Sequence, residues 1–184
     1  MVCIRRHLLT AVIAFSLVTA TSCNDSGEQN QQQSQSDAIS TDAQLFALVT
    51  REQPFTSYAL FPRADSVTTG TLNGSNAHQP MVRVSLNTTA FDALQDGELP
   101  PGDSFPDGSI ILKEIRSGGQ TILFAILFKD RSNSLAGNGW LWAEYQPNGK
   151  VAFSVAAMGN GCISCHMREQ GVQHDLVRTF ERQQ

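Results

Sequence analysis

The sequence predicts an α+β domain with an antiparallel sheet of about five strands. Five strand-like runs follow one another between residues 81 and 157, and most connections between them are short. Short connections favour antiparallel neighbours, because parallel strands need a long crossover. The last two runs flank Pro147-Asn148-Gly149, and Asn-Gly between two strands is a strong hairpin signal. Helices are expected at the ends of the sheet and against one of its faces.

The first elements are a helix and a strand, separated by a passage without a clear pattern. A helix is predicted over residues 42–51, with Asp42 as its N-terminal cap, because apolar residues recur there at helical spacing: Leu45, Phe46, Leu48 and Val49. Residues 57–79 are polar and show no assignable pattern. Residues 81–86 alternate as a strand that places Val82, Val84 and Leu86 on one face. A short helix is predicted over residues 89–94.

Four more strands complete the predicted sheet. One covers residues 109–116 and follows the turn Phe105-Pro106-Asp107-Gly108, whose proline and glycine suit a tight turn. The next covers residues 121–128, a continuous apolar run that predicts a strand buried on both faces. The hairpin pairs residues 140–146 with residues 150–157.

The N-terminal residues have the pattern of an export signal. The charged start "RRH" precedes an apolar span over residues 8–18, and small residues follow up to Cys23. This span is too short for a transmembrane helix, which needs about 20 residues. Residues 1–22 are therefore predicted to be a signal peptide and the mature protein to be periplasmic. Cys23 resembles the lipid-attachment cysteine of bacterial lipoproteins, and ordinary cleavage after Ala20 is the alternative.

A polar run separates the signal from the folded domain. Residues 24–40 contain five glutamines and no aromatic residue, so residues 23–41 are predicted to be a disordered tether and residues 42–184 one domain. The signal carries two of the 13 Lys+Arg and none of the 17 Asp+Glu, which leaves a net charge of −6. An acidic chain without a basic run argues against nucleic acid as a partner.

The motif "CISCH" lies near the C-terminus, at residues 162–166. Cys162 and Cys165 are the only thiols of the predicted domain, because the other two cysteines lie in the signal and the tether. A thiol-disulfide exchange site normally follows an early βαβ pattern, and a structural zinc site needs four ligands. Covalent haem accounts for every residue, since the two thiols bind two vinyl groups and His166 becomes the proximal iron ligand. We therefore predict one c-type haem, with thiol exchange and zinc as alternatives.

No motif indicates the sixth iron ligand. Met158 and Met167 lie too near the haem motif in sequence to reach over the iron. Met81, His78 and His174 are candidates, and each has a simpler interpretation: strand packing for the methionine, a loop position for His78 and a solvated position for His174. We expect five-coordinate iron or a weak sixth ligand.

Lys113 occupies an unusual position in its strand. Ile111, Lys113 and Ile115 share one face, while Glu114 lies on the other, so burial of either face buries a charge. An edge strand whose lysine extends to water is the simple interpretation. A lysine directed at the haem is the alternative.

Several segments together resemble the cytochrome P-460 family, which includes the cytochromes c′-β. They are "FPDGSIILKEIR", "GNGWLWAEYQPNGKV", "CISCH" and the residues 175–180 behind it, and the resemblance covers roughly residues 78–181. It implies a curved antiparallel sheet with helices packed around one c-type haem, attached through Cys162 and Cys165 and ligated by His166.

The resemblance also assigns roles to two cationic residues. Lys113 matches a lysine that is covalently linked to the haem ring in hydroxylamine-oxidising members, a link that requires a neutral amine. Arg83 matches an arginine near the distal pocket, and a solvent-facing place on an amphipathic strand is the alternative.

One departure from the family pattern bears on function. The hydroxylamine-oxidising members carry an acidic residue on the strand after the lysine strand, where a base would accept a proton, and residues 122–128 contain no acid. Phe124 or Phe128 over the iron would instead resemble the gas-binding cytochromes c′-β. Glu144 is the remaining candidate acid.

The sequence therefore predicts an exported mono-haem c-type cytochrome with an apolar pocket for nitric oxide or a related small nitrogen species, and with a periplasmic electron-transfer partner. A hydroxylamine-oxidising enzyme that uses Lys113 and Arg83 is the second hypothesis, and a thiol-disulfide oxidoreductase is the third. The resemblance also implies a homodimer, because family members are often dimers.

Overall fold

The computed structural model of the protein describes residues 38–72 and 75–182. The predicted signal peptide, the lipid site at Cys23 and the tether up to residue 37 lie outside the described residues. Ile39 packs on the apolar core, and its carbonyl accepts a hydrogen bond of 2.8 Å from Asn133 Nδ2. The described chain thus meets the domain shortly before the predicted boundary at residue 42.

The described residues form one antiparallel sheet of seven strands. In chain order these are β1 Ala59–Leu60, β2 Thr68–Thr69, β3 Met81–Leu86, β4 Ile110–Ser117, β5 Gln120–Lys129, β6 Trp140–Tyr145 and β7 Val151–Phe153. Their order across the sheet is β1-β3-β4-β5-β6-β7, and β2 pairs with the other end of β3. The predicted α+β class and antiparallel sheet are confirmed. The two short strands β1 and β2 come from the passage that shows no sequence pattern.

Short helices accompany the sheet: α1 Asp42–Ala47, α2 Thr88–Phe91 and α3 Ile163–His166. A π-helical turn over Leu48–Glu52 continues α1, which confirms the helix predicted over residues 42–51. The helix predicted over residues 89–94 is present as the shorter α2. Within the described parts of the chain, every helix is too short or too polar to cross a membrane.

The N-terminal cap of α1 is Thr41, so the prediction of Asp42 as the cap was wrong. Thr41 Oγ1 accepts a hydrogen bond of 3.2 Å from Gln44 N, and the Gln44 side chain accepts one of 3.0 Å from Thr41 N. This reciprocal pair is a capping box. The Asp42 carboxylate is then free to bind elsewhere, and it accepts hydrogen bonds from Ser154 Oγ (2.7 Å) and Val155 N (2.9 Å).

The last strand is shorter than predicted. The alternating pattern suggested a strand over residues 150–157, whereas β7 ends at Phe153. Ser154 caps a 3-10 turn over Val155–Ala157 through a hydrogen bond from Ala156 N to its Oγ. Together with the Asp42 contacts, this cap turns the chain away from the sheet and towards the "CISCH" motif.

Both faces of the central strands are covered. The register places Lys113, Ala125 and Glu144 side by side on one face, whereas Leu112 and Ile126 lie on the other. The second face packs under α1 on a core that includes Leu45, Val49, Ile110, Leu112, Leu141 and Tyr145. The first face packs under the C-terminal segment on a core that includes Phe105, Trp140, Trp142, Val177 and Phe180. The prediction that residues 121–128 are buried on both faces holds for Phe124, Ile126 and Leu127 and not for the exposed Ile122.

Candidate functional site

A cavity lies between the first face of the sheet and the C-terminal segment. Strands β4, β5 and β6 form its floor, and its walls come from the loop between β2 and β3, from the "CISCH" motif and from residues 177–182. Its empty space is about 990 Å³, a figure that includes solvent at its open mouth. The cavity is therefore a cleft open to solvent, and the "CISCH" motif forms one of its walls.

The "CISCH" motif brings two free thiols and an imidazole to this cavity. Cys162, Cys165 and His166 all line it, because α3 starts directly after Cys162 and one helical turn separates the cysteines. Gly171 allows the following chain to approach, since a Cβ at this position would lie 1.8 Å from the His166 carbonyl oxygen.

The orientation of His166 is fixed from two sides. Its Nδ1 lies 2.7 Å from the Leu176 carbonyl oxygen, and since a carbonyl only accepts, Nδ1 carries the proton and Nε2 keeps its lone pair. The ring of Trp142 packs edge-on against the imidazole, with 4.9 Å between the ring centroids. A histidine held through one nitrogen by a backbone carbonyl is the usual arrangement of a metal ligand.

Burial shifts the pKa of two residues of the motif. It lowers the pKa of His166 to about 3, so the imidazole is neutral at neutral pH. It also raises the pKa of the Cys162 thiol to about 11, with a smaller contribution from the Glu144 charge. A reactive thiol of an oxidoreductase needs the opposite shift. These residues fit a covalently attached haem, with Nε2 of His166 as the iron ligand.

Lys113 stands on the cavity floor with two polar partners. Its Nζ lies 3.3 Å from Nδ1 of His78, and the Nε2 of that histidine lies 3.4 Å from Glu144 Oε1. Burial, together with a smaller contribution from the charge of Arg182, lowers the pKa of Lys113 to about 8. Burial and the lysine charge both lower the pKa of His78. Lys113 therefore faces the cavity and does not extend to water from an edge strand.

Three predicted site residues do not line the cavity. Arg83, Phe124 and Phe128 lie on the opposite face of the sheet, because the strand register pairs Arg83 and Phe124 with Glu114 and not with Lys113. Arg83 Nε lies 3.6 Å from the Glu114 carboxylate and is partly exposed. Phe124 packs on Phe55, with 5.0 Å between the ring centroids, and Phe128 packs on the same core. The prediction that Phe124 or Phe128 faces the cavity was wrong, and Phe153 at the end of β7 is the phenylalanine that lines it.

Of the candidates for a sixth iron ligand, only His78 lines the cavity. Met81 is exposed on the face that carries Arg83, and His174 stacks on Phe180. Both ring nitrogens of His78 already lie near protein groups, which leaves neither one open for iron.

Sequence reasoning missed Arg178 as a cavity residue. Its guanidinium is 5% exposed and pairs with Glu181 (Nε to Oε1, 2.8 Å) and Glu169. Its Nη1 also lies 3.2 Å from the Cys165 carbonyl and 3.3 Å from the Cys165 sulfur. Arg178 thereby connects the C-terminal segment to the "CISCH" motif. Periodicity could not find it, because it lies in a 3-10 stretch.

Comparison with protein-family models matches residues 63–179 to the family described as Cytochrome P460. The match covers more than half of the chain and includes the motif, Lys113, His78 and Glu144. No curated protein matches the sequence. Within residues 38–72 and 75–182, no three His, Cys, Asp or Glu side chains form a group that could hold a metal ion.

Proposed function

Because the chain belongs to the cytochrome P460 family, we propose that it is a mono-haem c-type cytochrome that oxidises hydroxylamine or a similarly small nitrogen compound. Family membership makes it a haem-binding cytochrome, and the single covalent haem and the reaction are our proposal. The observation that supports the reaction most is the chain of polar contacts from Lys113 through His78 to Glu144. The cavity is not apolar on this side, which favours oxidation over the nitric oxide binding that the sequence predicts.

The motif residues would hold the haem. Cys162 and Cys165 would bind its vinyl groups through sulfur, and His166 would bind the iron through Nε2. When bound, the haem supplies an iron that takes up electrons from the substrate. The protein keeps the imidazole neutral by burial, and the Leu176 carbonyl selects its tautomer.

The contacts from Lys113 through His78 to Glu144 place proton acceptors in the cavity. Oxidation of hydroxylamine releases protons as well as electrons, so the cavity needs a base. Glu144 provides a carboxylate on the strand after β5, and its side chain is 26% exposed. It can accept a proton inside the cavity and release it to water. The pKa of Lys113 is lowered to about 8, so a larger share of its amine is neutral than in an exposed lysine.

A second function, reversible nitric oxide binding, is favoured by the apolar part of the lining. Ile111, Leu127 and Val177 line the cavity beside the motif, and an apolar wall suits a neutral diatomic ligand. The third hypothesis, thiol-disulfide exchange, loses support because the pKa of Cys162 is raised.

Hydroxylamine oxidation by the haem-loaded protein, followed with an artificial electron acceptor, tests the proposal. We expect turnover by the wild type and a kcat about 100-fold lower in Glu144→Gln, the usual effect of removing a general base. Glu52→Gln is the matched control, because Glu52 is exposed and lies outside the cavity. A wild type without turnover that binds nitric oxide reversibly would support the second function instead.

We also propose a cellular location, an electron-transfer partner and an oligomeric state for the protein. The export pattern of residues 1–22 supports a periplasmic location, and Cys23 supports a lipid anchor to the membrane. An electron-transfer partner is required, because oxidation of hydroxylamine releases more than one electron and a single ferric haem would accept only one before it must be reoxidised. A homodimer is proposed from the resemblance to the family. Fractionation of the expressing cells and the sedimentation of the purified protein test these proposals.

A further inference from the structure

We propose that Arg182 binds a carboxylate of the haem, one of its two propionates, at the wall of the cavity. The inference deepens the proposed function: it rests on the haem attachment proposed there, but not on the identity of the substrate. Arg182 lines the cavity, and its guanidinium has two backbone carbonyls as acceptors. Its Nε is buried and has no acceptor within the described residues.

The backbone holds the Arg182 side chain in place. Arg182 ends the 3-10 stretch Arg178–Arg182 of the C-terminal segment. Its Nη1 donates to the Thr69 carbonyl, and its Nη2 donates to the Thr71 carbonyl (3.0 Å). These two carbonyls stand on either side of Gly70, which also lines the cavity. The guanidinium is therefore fixed beside the cavity by two contacts.

Those two contacts leave part of the guanidinium unused. A guanidinium has five N–H donors in a planar fork, and the two carbonyls take one from each Nη. Because Nε is buried, water does not supply the acceptor that it lacks, and a buried donor without an acceptor is costly. Nε and the second hydrogen of Nη2 lie on one edge of the fork, which matches the two oxygens of a carboxylate.

The charge of Arg182 also needs a counter-ion. Burial lowers the pKa of Arg182, the charge of Glu181 opposes this shift, and the charge of Arg178 adds to it. Both carboxylate oxygens of Glu181 bind Arg178. In the part of the chain that the structure describes, no carboxylate lies within ion-pair distance of Arg182. A guanidinium stays charged in proteins, so an uncompensated cation borders the cavity.

The lining as a whole favours an anion. Among the described residues it carries three cationic side chains, Lys113, Arg178 and Arg182, and one carboxylate, that of Glu144. Arg178 already has two carboxylate partners, and Lys113 contacts an imidazole. Arg182 is thus the cation of this lining that is best placed to receive a carboxylate.

The haem is the anion that the proposed function brings to this cavity. Attachment through the vinyl groups leaves both propionates as carboxylates, and a carboxylate taken out of water needs a charged partner. Hydroxylamine and nitric oxide carry no negative charge, so neither matches the donors of Arg182. A free inorganic anion has the same chemistry as a propionate and is the source that the experiment must distinguish.

Resonance Raman spectroscopy of the haem-loaded protein tests the contact, because the bending vibration of a propionate changes when it loses a hydrogen bond. Arg182→Gln should shift this band. It should also move the equilibrium between ferrous and ferric haem about tenfold towards the ferric form, since the propionate charge is then uncompensated. For one electron, a tenfold change is a fall of about 59 mV in the reduction potential.

Two further variants separate the contact from a general effect of charge. Arg182→Lys keeps the charge but not the planar fork, so it should retain most of the potential and still shift the propionate band. It also serves where the glutamine variant does not load haem. Arg131→Gln is the matched control, because Arg131 is half exposed in its pair with Asp107 and lies outside the cavity. It should leave both the band and the potential unchanged.

Three results would overturn the proposal. One is a propionate band that is the same in the wild type and in Arg182→Gln, whether or not the potential falls. Another is a band in Arg131→Gln that shifts as far as in Arg182→Gln. The third is calorimetric binding of nitrite to the haem-loaded wild type that Arg182→Gln abolishes without a change in the band, which would assign Arg182 to a free anion. If the band and the potential change as expected in a protein that does not oxidise hydroxylamine, the proposed reaction fails and the role of Arg182 stands.

Discussion

The buried ion pair between Lys129 and Asp175 provides a direct test of what fastens the C-terminal segment to the sheet. Lys129 Nζ lies 2.8 Å from the carboxylate, and the two side chains expose only 3% and 10% of their surface. The ammonium also lies 4.7 Å from the centre of the Trp140 ring. The carboxylate accepts a second hydrogen bond from Phe105 N (2.9 Å). Loss of the carboxylate would leave a buried ammonium without its counter-ion.

We expect Asp175→Asn to lower the free energy of unfolding by about 3–5 kcal/mol, the usual effect of breaking a buried pair. Asparagine is the suitable replacement because Asp175 has a φ of +50°, which asparagine tolerates. Its amide oxygen can still accept from Phe105 N. The loss is a large fraction of the roughly 5–15 kcal/mol that stabilises a typical domain. The double variant Lys129→Met with Asp175→Asn should recover much of it, since it leaves no buried charge.

Urea unfolding of the four proteins in this cycle measures the effect, and an exposed ion pair is the control. Arg63 and Glu98 approach to 2.7 Å, but each side chain is nearly half exposed, so Glu98→Gln should cost less than about 1 kcal/mol. The reasoning is refuted if Asp175→Asn costs no more than Glu98→Gln. It is also refuted if the double variant is as unstable as Asp175→Asn.

Three further predictions concern the haem ligand, the buried lysine and the start of the domain. Gly171→Ala should reduce haem loading, because its Cβ would lie 1.8 Å from the His166 carbonyl; unchanged loading in a haem-binding assay would contradict this. In the folded haem-free protein the pKa of Lys113 is about 8, whereas its ordinary value, taken for the unfolded chain, is 10.5. Between pH 8 and 10.5 the unfolded state therefore binds more protons than the folded state, and the free energy of unfolding rises with pH. The free energy of unfolding of the wild type, measured with urea, should therefore approach that of Lys113→Met as the pH rises from 8 to 10.5. A difference between the two proteins that stays constant over this range would refute the burial of a charged lysine. Asp42→Ala should cost about 1–3 kcal/mol of unfolding free energy, because it leaves the Val155 N–H without its acceptor; an effect no larger than that of Ser40→Ala would argue against this anchor.

The strands were predictable because alternation and turn chemistry are local signals. β3 coincides with the alternating run at residues 81–86, and the hairpin forms around Asn148-Gly149 as its sequence requires. β7 was overestimated because the Asp42 carboxylate binds Ser154 and Val155 just beyond Phe153. Asp42 is far away in sequence, so the local pattern does not contain these contacts.

The site was predictable only where adjacency in sequence determines geometry. Cys162, Cys165 and His166 share one helical turn, and they line the cavity together. Alternation shows that Phe124 and Phe128 share a face, but it does not show which face carries the cavity. In this sheet both faces are buried, so hydrophobicity could not distinguish them. His78 comes from a loop without periodicity, and only the fold brings it next to Lys113.

The contacts of Asp42 also determine how mechanical load would travel through the domain. Its carboxylate joins the first turn of α1 to Ser154 and Val155, and this turn leads within ten residues to Cys162. A pull on the chain at its N-terminal entry would therefore load these two hydrogen bonds in parallel with the packing of α1 on the sheet. Tension at that end of the molecule would reach the segment that precedes the "CISCH" motif in the chain.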